Sequence, residues 1–558
     1  MFSVVGDGFK ALFLAMNCES GGGPRLGPTS DVTAYRDFVL RNNRLIDVPE
    51  RGKCNRRAAE LRQEGNRLFL GKKFDDALAK FNESICAAEP GSEHLGMGYA
   101  NRSAVYYEMD EYEYCLANIG LARLNHFPEK FASKLETREL ACRAKLDDGQ
   151  SKGTKLYHGI GLNVSPNPMI PFIADGIAMK QYPGFGRGLV AEKDFQPGDI
   201  ILDEPPMLTL VGSRYNYCNN CAGSFQGSLI PCPCCISAMY CSEECLQKDY
   251  RFWHRFECGL SEKLQNVLFG TMAMAPKRFF FGLTAFHDDL EEMKTYCEES
   301  TDANDDPFVV DYTKQDLLDQ FKVLHQAKLN PAMPELECVM RLSAAAFYAI
   351  FMKHLAATDA QQLVDTDAQK EFMLRCFLDY IRKDTALSLD SNEVATCSTI
   401  STLSTISSLV NHSCDPNIVM HIRYGRIRFW VLRPIRKGDQ IVTSYGPTWW
   451  DPQPSYKSIF KCCCPVCDGE WCVSEQALPE AVREELAVKI VGVNDPDIDQ
   501  ANVLKHLQKF FTRYGHYHPN ASLGPKLDVC KFLIIGTIHR GSFTLERAKV
   551  AAALGLIN

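Results

Sequence analysis

Cysteine placement constrains this chain more than any other feature. Of 24 cysteines, eight fall between Cys218 and Cys258 and five between Cys462 and Cys472, with eleven scattered. Chance usage does not concentrate cysteine in this way; metal binding does. The first cluster reads Cys218-x2-Cys221, Cys232-x2-Cys235, Cys241-x3-Cys245 and His254-x3-Cys258. Each short pair holds two thiolates, or a thiolate and an imidazole, in the geometry tetrahedral zinc requires, and eight ligands suit two closed structural sites. A stretch this short cannot build its own hydrophobic core, so metal would supply most of its folding energy. The second cluster, Cys462-x-Cys464-x2-Cys467, has no fourth ligand nearby, and Cys414 is the natural candidate.

At 558 residues the chain predicts several domains. Lys+Arg total 61 against Asp+Glu 69, a net charge of −8. That balance excludes a strongly acidic or basic tail and gives no electrostatic footprint for direct nucleic-acid binding. No stretch reads as the ~20 apolar residues of a membrane span. The start, MFSVVGDGFKALFLAM, lacks the basic region and cleavage site of a signal peptide. Thiols kept for metal then predict a reducing compartment.

The pattern predicts an α+β multidomain chain. Residues 1–56, with a GGGP run, read as a flexible N-terminal arm. Residues 57–147 are helical, with apolar residues three and four apart. Two units within them are self-similar: Asn66 and Asn101 lie 35 residues apart, near the ~34-residue period of tetratricopeptide repeats. Residues 178–213 alternate β-branched runs with Gly and Pro turns, as short strands do. The first cysteine cluster occupies 218–258, and 259–390 is helical. Residues 391–450 return to strands (NIVMHIRY, RIRFWVL and QIVTSY), 455–475 carry the second cluster, and 476–558 are helical. The strand segments, split by insertions, are expected to form one sheet domain.

Asn411-His412-Ser413-Cys414-Asp415-Pro416-Asn417 supplies the chemistry-bearing knot. Asn and His offer donors and acceptors for an adenosine-type ligand, and Asp-Pro-Asn turns the chain after them. Ser444-Tyr445-Gly446 closes the following strand.

The 218–258 segment resembles a MYND zinc finger, matching all eight ligands and the Met-Tyr-Cys-Ser-x-x-Cys passage at 239–245. That resemblance implies interleaved pairing: Cys218, Cys221, Cys241 and Cys245 on one zinc, Cys232, Cys235, His254 and Cys258 on the other, with Cys234 a spare thiol. It also implies a surface for proline-rich peptides, unless the finger is a rigid structural insert. The Asn-His-Ser-Cys knot, the Tyr-bearing strand and the later cysteines resemble a SET-domain lysine methyltransferase. The ordered set is similar to the SET and MYND family, in its branch with N-terminal tetratricopeptide repeats.

The resemblance implies S-adenosylmethionine as cofactor and a protein lysine, histone or non-histone, as substrate. It implies Tyr445 as the catalytic tyrosine near the methyl. It carries Phe185, Gly186, Arg187, Asn392, Ser408, Asn411, His412, Tyr445 and Phe460 over as cofactor-binding residues. A third zinc would use Cys414, Cys462, Cys464 and Cys467. The family also implies cytoplasm and nucleus. Trp449, Trp450 and two prolines stand where the family carries a charged helix, and Ser458 stands where it often has a second channel tyrosine. Those departures keep a second reading open: an inactive interaction scaffold recruiting chaperone or transcriptional-regulator partners.

Arg62-x3-Asn66, Asn101 and Lys134-x3-Arg138 resemble the clamp with which tetratricopeptide repeats grip the acidic carboxyl-terminal tail of a chaperone. Residues i and i+4 share a helix face, so these cations and amides would converge on a carboxylate.

Overall fold

The computed structural model describes residues 5–18, 26–151, 161–183, 185–212, 215–223, 228–268, 270–299, 306–314, 316–325, 334–387, 389–393, 398–423, 425–445, 448–450, 462–468, 471–487 and 500–538. The expected N-terminal arm is instead packed structure. Helices α1 (Asp7–Cys18) and α2 (Val32–Arg41) bury Phe9, Leu12, Val32, Tyr35, Phe38 and Val39 in one core with the helices Met274–Ala285, Pro334–Leu355 and Asp367–Leu387. The physical reason lies in the sequence either side of the GGGP run. Val32, Tyr35, Phe38 and Val39 recur at helical spacing, and Asp31 caps α2 by accepting from the Thr33 amide at 2.8 Å. The GGGP run itself lies outside the described residues.

Five helices follow: α3 (Asn55–Leu70), α4 (Phe74–Ala87), α5 (Glu93–Glu108), α6 (Tyr112–Leu124) and α7 (Ala132–Asp147). Close approach of α3 and α4 needs Gly65, where a Cβ would come within 2.6 Å of the Phe81 ring.

The described residues further on include twelve strands: β1 (Ile177–Tyr182), β2 (Gly186–Ala191), β3 (Ile200–Glu204), β4 (Leu208–Val211), β5 (Ile230–Pro231), β6 (Met239–Tyr240), β7 (Leu389–Glu393), β8 (Ser398–Leu403), β9 (Asn411–His412), β10 (Ile418–Arg423), β11 (Arg426–Val431) and β12 (Gln440–Thr443). They form three small sheets, β1-β2-β12-β9, β10-β11-β3 and β4-β8-β7, rather than the single sheet expected, plus the β5-β6 hairpin of the finger. Every one of the three larger sheets joins strands from before and after the helical insert, so the insertions are closed by β2–β12, β3–β11 and β4–β8 pairing.

The helix Pro334–Leu355 contains one stretch, Leu336–Leu355, apolar and long enough to cross a membrane by composition, contrary to the sequence expectation; 72% of it is buried inside the protein, as in a core helix. The C-terminal helices Gln500–Tyr514 and Gly524–Ile538 bury Leu504, Leu507, Phe510, Phe511 and Leu527 against Val419, Trp430 and Leu432 of the β10–β11 hairpin and its exit.

Candidate active site and metal clusters

Three sets of four side chains converge: Cys218, Cys221, Cys241 and Cys245; Cys232, Cys235, His254 and Cys258; and Cys414, Cys462, Cys464 and Cys467. Within each set all ligand atoms lie within 4.8 Å of one another. Four thiolates about 2.3 Å from a tetrahedral zinc stand about 3.8 Å apart. The observed Sγ separations match: 3.7 Å for Cys221–Cys241, 3.9 Å for Cys232–Cys258 and 3.7 Å for Cys414–Cys467. His254 Nε2 stands 3.6 Å from Cys235 Sγ, while its Nδ1 meets Glu257 Oε1 at 2.9 Å. That carboxylate fixes the tautomer that leaves Nε2 free to ligate. Cys234 and Cys463 are exposed and belong to none of the sets. Donor type, count and spacing therefore fit zinc at all three.

The two finger sets sit inside a scaffold. Asp249 accepts from Asn219 Nδ2 at 2.7 Å, Tyr240 Oη at 2.8 Å and Trp253 Nε1 at 2.6 Å. The Lys277 ammonium, from the insert, lies 3.6 Å from the centre of the Trp253 ring. On the other side the finger shares a core with the N-terminal helices, burying Leu229, Ala238, Met239 and Tyr240 among residues of α3 to α7. Arg102, 1% exposed on α5, donates to Asn118 Oδ1 at 2.6 Å, Asn82 Oδ1 at 2.7 Å and the Leu229 carbonyl of the finger at 3.0 Å.

The third set adjoins the knot. β9 runs parallel to β12, pairing Asn411 with Val442 and His412 with Thr443. Asn417 holds the same strand by its side chain, donating to the Gln440 carbonyl at 2.8 Å and accepting from the Val442 amide at 2.9 Å. Burial pushes the His412 imidazole down to about 4, so the ring is neutral. Its Nδ1 accepts from the Tyr445 amide at 2.9 Å, which leaves the proton on Nε2, 3.4 Å from Cys414 Sγ. Both ring nitrogens are therefore spent inside the protein, and His412 links the metal set to the tyrosine.

Tyr445 as a residue is 46% exposed, yet its hydroxyl turns inward and donates to the Val410 carbonyl at 2.5 Å. Burial pushes the phenol up to about 12, so it stays protonated and is a hydrogen-bonding group rather than a base. Across from it, Asn411 Nδ2 donates to the Arg187 carbonyl at 3.1 Å. Gly186 adopts φ +75° with nothing within 4 Å of a Cβ built there, which leaves the backbone open to a ligand. Beside it, a Cβ on Gly188 would come within 2.5 Å of Asn411 Nδ2 and 2.7 Å of Gln440 Nε2. Gln440 Nε2 and the Tyr182 hydroxyl are buried without a hydrogen-bond partner among the described residues. Open glycine backbone and unsatisfied polar atoms fit a polar, adenosine-type ligand.

A SET domain family model matches residues 186–446, the span from Gly186 to just past Tyr445. The protein-lysine N-methyltransferase SMYD4 of Pongo abelii is 23% identical over 542 residues, covering 73% of this chain and 66% of that relative. The SMYD4 of Homo sapiens is 22% identical, covering 79% and 72%. The N-lysine methyltransferase SMYD2 of Sus scrofa is 24% identical, covering 62% and 71%. The chain is thus similar to the SET and MYND family, with the SET domain model matched over residues 186–446.

The remaining family-derived residues are placed unevenly. Phe185 precedes β2 and its amide bonds the Tyr182 carbonyl at 3.2 Å. Ser408 donates its hydroxyl to the Thr405 carbonyl at 2.8 Å, so it shapes the turn before the knot. Asn392 lies in β7, paired with Thr399. Phe460 and Ser458 lie outside the described residues. Of the segment after Tyr445, Thr448–Trp450 are described. The Trp449 amide donates to the Cys414 carbonyl at 2.8 Å and its indole to Asp415 Oδ1 at 2.9 Å. Asp415 also binds Arg433 at 2.6 Å and His518 at 3.0 Å. The tryptophans that depart from the family thus brace the knot against the C-terminal helices. Sequence reasoning missed Asn417 as a clamp and His518 as a brace, because neither carries a spacing signal.

Four of the five clamp residues gather along α5. Arg62 donates to Met97 Sδ at 3.4 Å, Asn101 to Asn66 at 2.7 Å, and Arg138 to the Ala100 carbonyl at 2.9 Å and Ser103 Oγ at 2.8 Å. Lys134 instead lies over the Phe131 ring at 5.4 Å.

Proposed function

We propose that this protein is an S-adenosylmethionine-dependent protein-lysine N-methyltransferase, acting on a histone or non-histone lysine. The observation that carries the reading is the Tyr445 hydroxyl, held by Val410 within one turn of Asn411 and His412 and beside the third metal set. The relatives named above as lysine methyltransferases support it. Asn411 and the backbone at 185–187 and at His412 would hold the cofactor's adenosine end, with Asn392, Ser408 and Phe460 as further family contacts.

When bound, the cofactor supplies an electrophilic sulfonium methyl. The chain's part is to hold a neutral lysine amine in line with it and to keep water out. The Tyr445 hydroxyl donates a hydrogen bond to the Val410 carbonyl, which turns its oxygen toward the amine and the sulfonium. With its phenol at about 12 it takes up no proton, and the lysine's proton leaves to solvent. Zinc at the third set would fix the knot through Cys414 and, by way of His412, the Tyr445 backbone.

The finger is better read as a structural insert than as a docking module for proline-rich peptides, since the face made by Leu229, Met239 and Tyr240 is covered by the chain's own helices. Helices α3 to α7 are read as tetratricopeptide repeats with an acidic carboxyl-terminal peptide as partner, supported by Arg62, Asn66, Asn101 and Arg138 along α5. Cytoplasm and nucleus, where thiolate clusters stay reduced, suit all three metal sets.

Calorimetric titration with S-adenosylmethionine tests the reading. Saturable one-to-one binding, followed by methyl transfer to lysine peptides, is expected. Absence of binding by zinc-loaded protein would reject it in favour of the interaction scaffold.

A further inference from the structure

Glu204 is the last residue of β3 and is 2% exposed. Its Oε1 accepts from the Thr405 amide at 2.9 Å, the Thr405 hydroxyl at 3.0 Å and the Ile406 amide at 2.9 Å, and its Oε2 accepts from the Ser407 amide at 2.8 Å. Four donors from three consecutive residues thus close on one carboxylate. A buried carboxylate at the start of a turn is held by charge-assisted bonds, and it in turn fixes that turn's direction. The Tyr312 hydroxyl adds a bond from the insert, reaching Thr405 Oγ1 at 3.0 Å.

The turn so fixed, Ser407–Leu409, runs directly into Val410, whose carbonyl receives the Tyr445 hydroxyl. Asn411 and His412 come next, but β12 holds them independently through Val442 and Thr443. What depends on Glu204 is therefore the carbonyl before the knot, not the knot. We propose that Glu204 is a positioning residue for methyl transfer, acting through the Val410 carbonyl on the Tyr445 hydroxyl. The proposal rests on the methyltransferase reading of this site. With its hydrogen directed at Val410, the phenol oxygen is held in one orientation toward the reacting centre. When the turn shifts, the hydroxyl is free to rotate and present its hydrogen there instead.

Glu204→Gln keeps the shape but sets an amide NH2 against the turn's own N–H donors. The experiment measures kcat, peptide KM and the S-adenosylmethionine Kd well below the melting temperature, where zinc content and near-UV dichroism match the wild type. The expected result is a fall in kcat of about tenfold or more, with KM and Kd within about threefold. Thr405→Val, which removes one donor and leaves the carboxylate, is expected to lower kcat by roughly threefold and keeps the test open if Glu204→Gln fails to fold. Unchanged kcat with a lowered melting temperature would make Glu204 purely structural and overturn the proposal. So would a loss of kcat matched by an equal loss of cofactor affinity, because the knot would then have moved. A wild-type protein that transfers no methyl overturns the methyltransferase reading itself; an active wild type with unaffected variants overturns the proposal alone.

Discussion

The finger and the knot carry the same kind of thiolate-rich four-ligand set, fit for zinc, to opposite ends. In the finger, two sets of ligands sit between helices, and their neighbours are structural: Asp249 gathering Asn219, Tyr240 and Trp253, Lys277 over Trp253, and Arg102 reaching across from α5. At the knot a single set stands next to reactive geometry, one imidazole away from the Tyr445 backbone. All three sets, two of four thiolates and one of three thiolates with His254, supply four ligands, so a zinc held in any of them would have no open position for chemistry. What differs is what each set holds still. The finger fixes where the N-terminal helices lie; the knot fixes where a hydroxyl points.

The comparison breaks if damage fails to sort itself by region. The largest effect is expected at Tyr445: Tyr445→Phe should lower kcat by about a hundredfold or more, with melting temperature and cofactor affinity nearly unchanged. A stability loss there, without loss of turnover, would move Tyr445 to the structural side. On the finger side Arg102→Ala leaves Asn82, Asn118 and the Leu229 carbonyl without their buried donor. Denaturant unfolding should then show a loss of about 3 kcal/mol, with kcat within about twofold of wild type for the fraction still folded.

Acid sharpens the contrast in a third place, the insert. Burial, followed by the charges of Lys383 and Arg278, pushes the His325 imidazole from 6.5 down to about 3. The folded state therefore binds fewer protons than the unfolded one below pH 6.5. Stability from this group is present above that pH and is lost as pH falls toward 3, at up to about 1.4 kcal/mol per pH unit. His325→Gln should flatten that part of the pH–stability curve, and an unchanged slope would show that His325 is not buried neutral. The smallest effect is expected at the outer brace of the knot, where His518→Ala should cost about 1 kcal/mol and leave methyl transfer measurable.

The sequence carried the metal sets furthest, because ligand geometry is written in short spacings: Cys241-x3-Cys245 admits few alternatives. Strands β10, β11 and β12 were also legible, as β-branched runs between turns. The packing of α1 and α2 was not. Their apolar spacing is helical, but the adjacent GGGP run dominates the local composition, and the helices they join, Met274–Ala285, Pro334–Leu355 and Asp367–Leu387, come hundreds of positions later. The division into three sheets was hidden for the same reason, since pairing across the insert leaves no local trace. His412 was legible as a member of the site; that its two nitrogens face Tyr445 and Cys414 is a matter of ring orientation, which residue type does not encode. Glu204, in Leu-Asp-Glu-Pro-Pro, reads as an ordinary strand-end acid, and nothing nearby marks it as the partner of residues two hundred positions away.

The claim that one metal set braces the site and the others brace the scaffold is tested most directly by a paired calorimetric titration. Cys464→Ser and Cys232→Ser proteins, with metal content measured on the same samples, are titrated with S-adenosylmethionine. The account predicts one zinc lost from each, cofactor binding abolished in Cys464→Ser, and cofactor binding kept in Cys232→Ser despite a lower melting temperature. Cofactor binding retained in Cys464→Ser after its zinc is gone would contradict it.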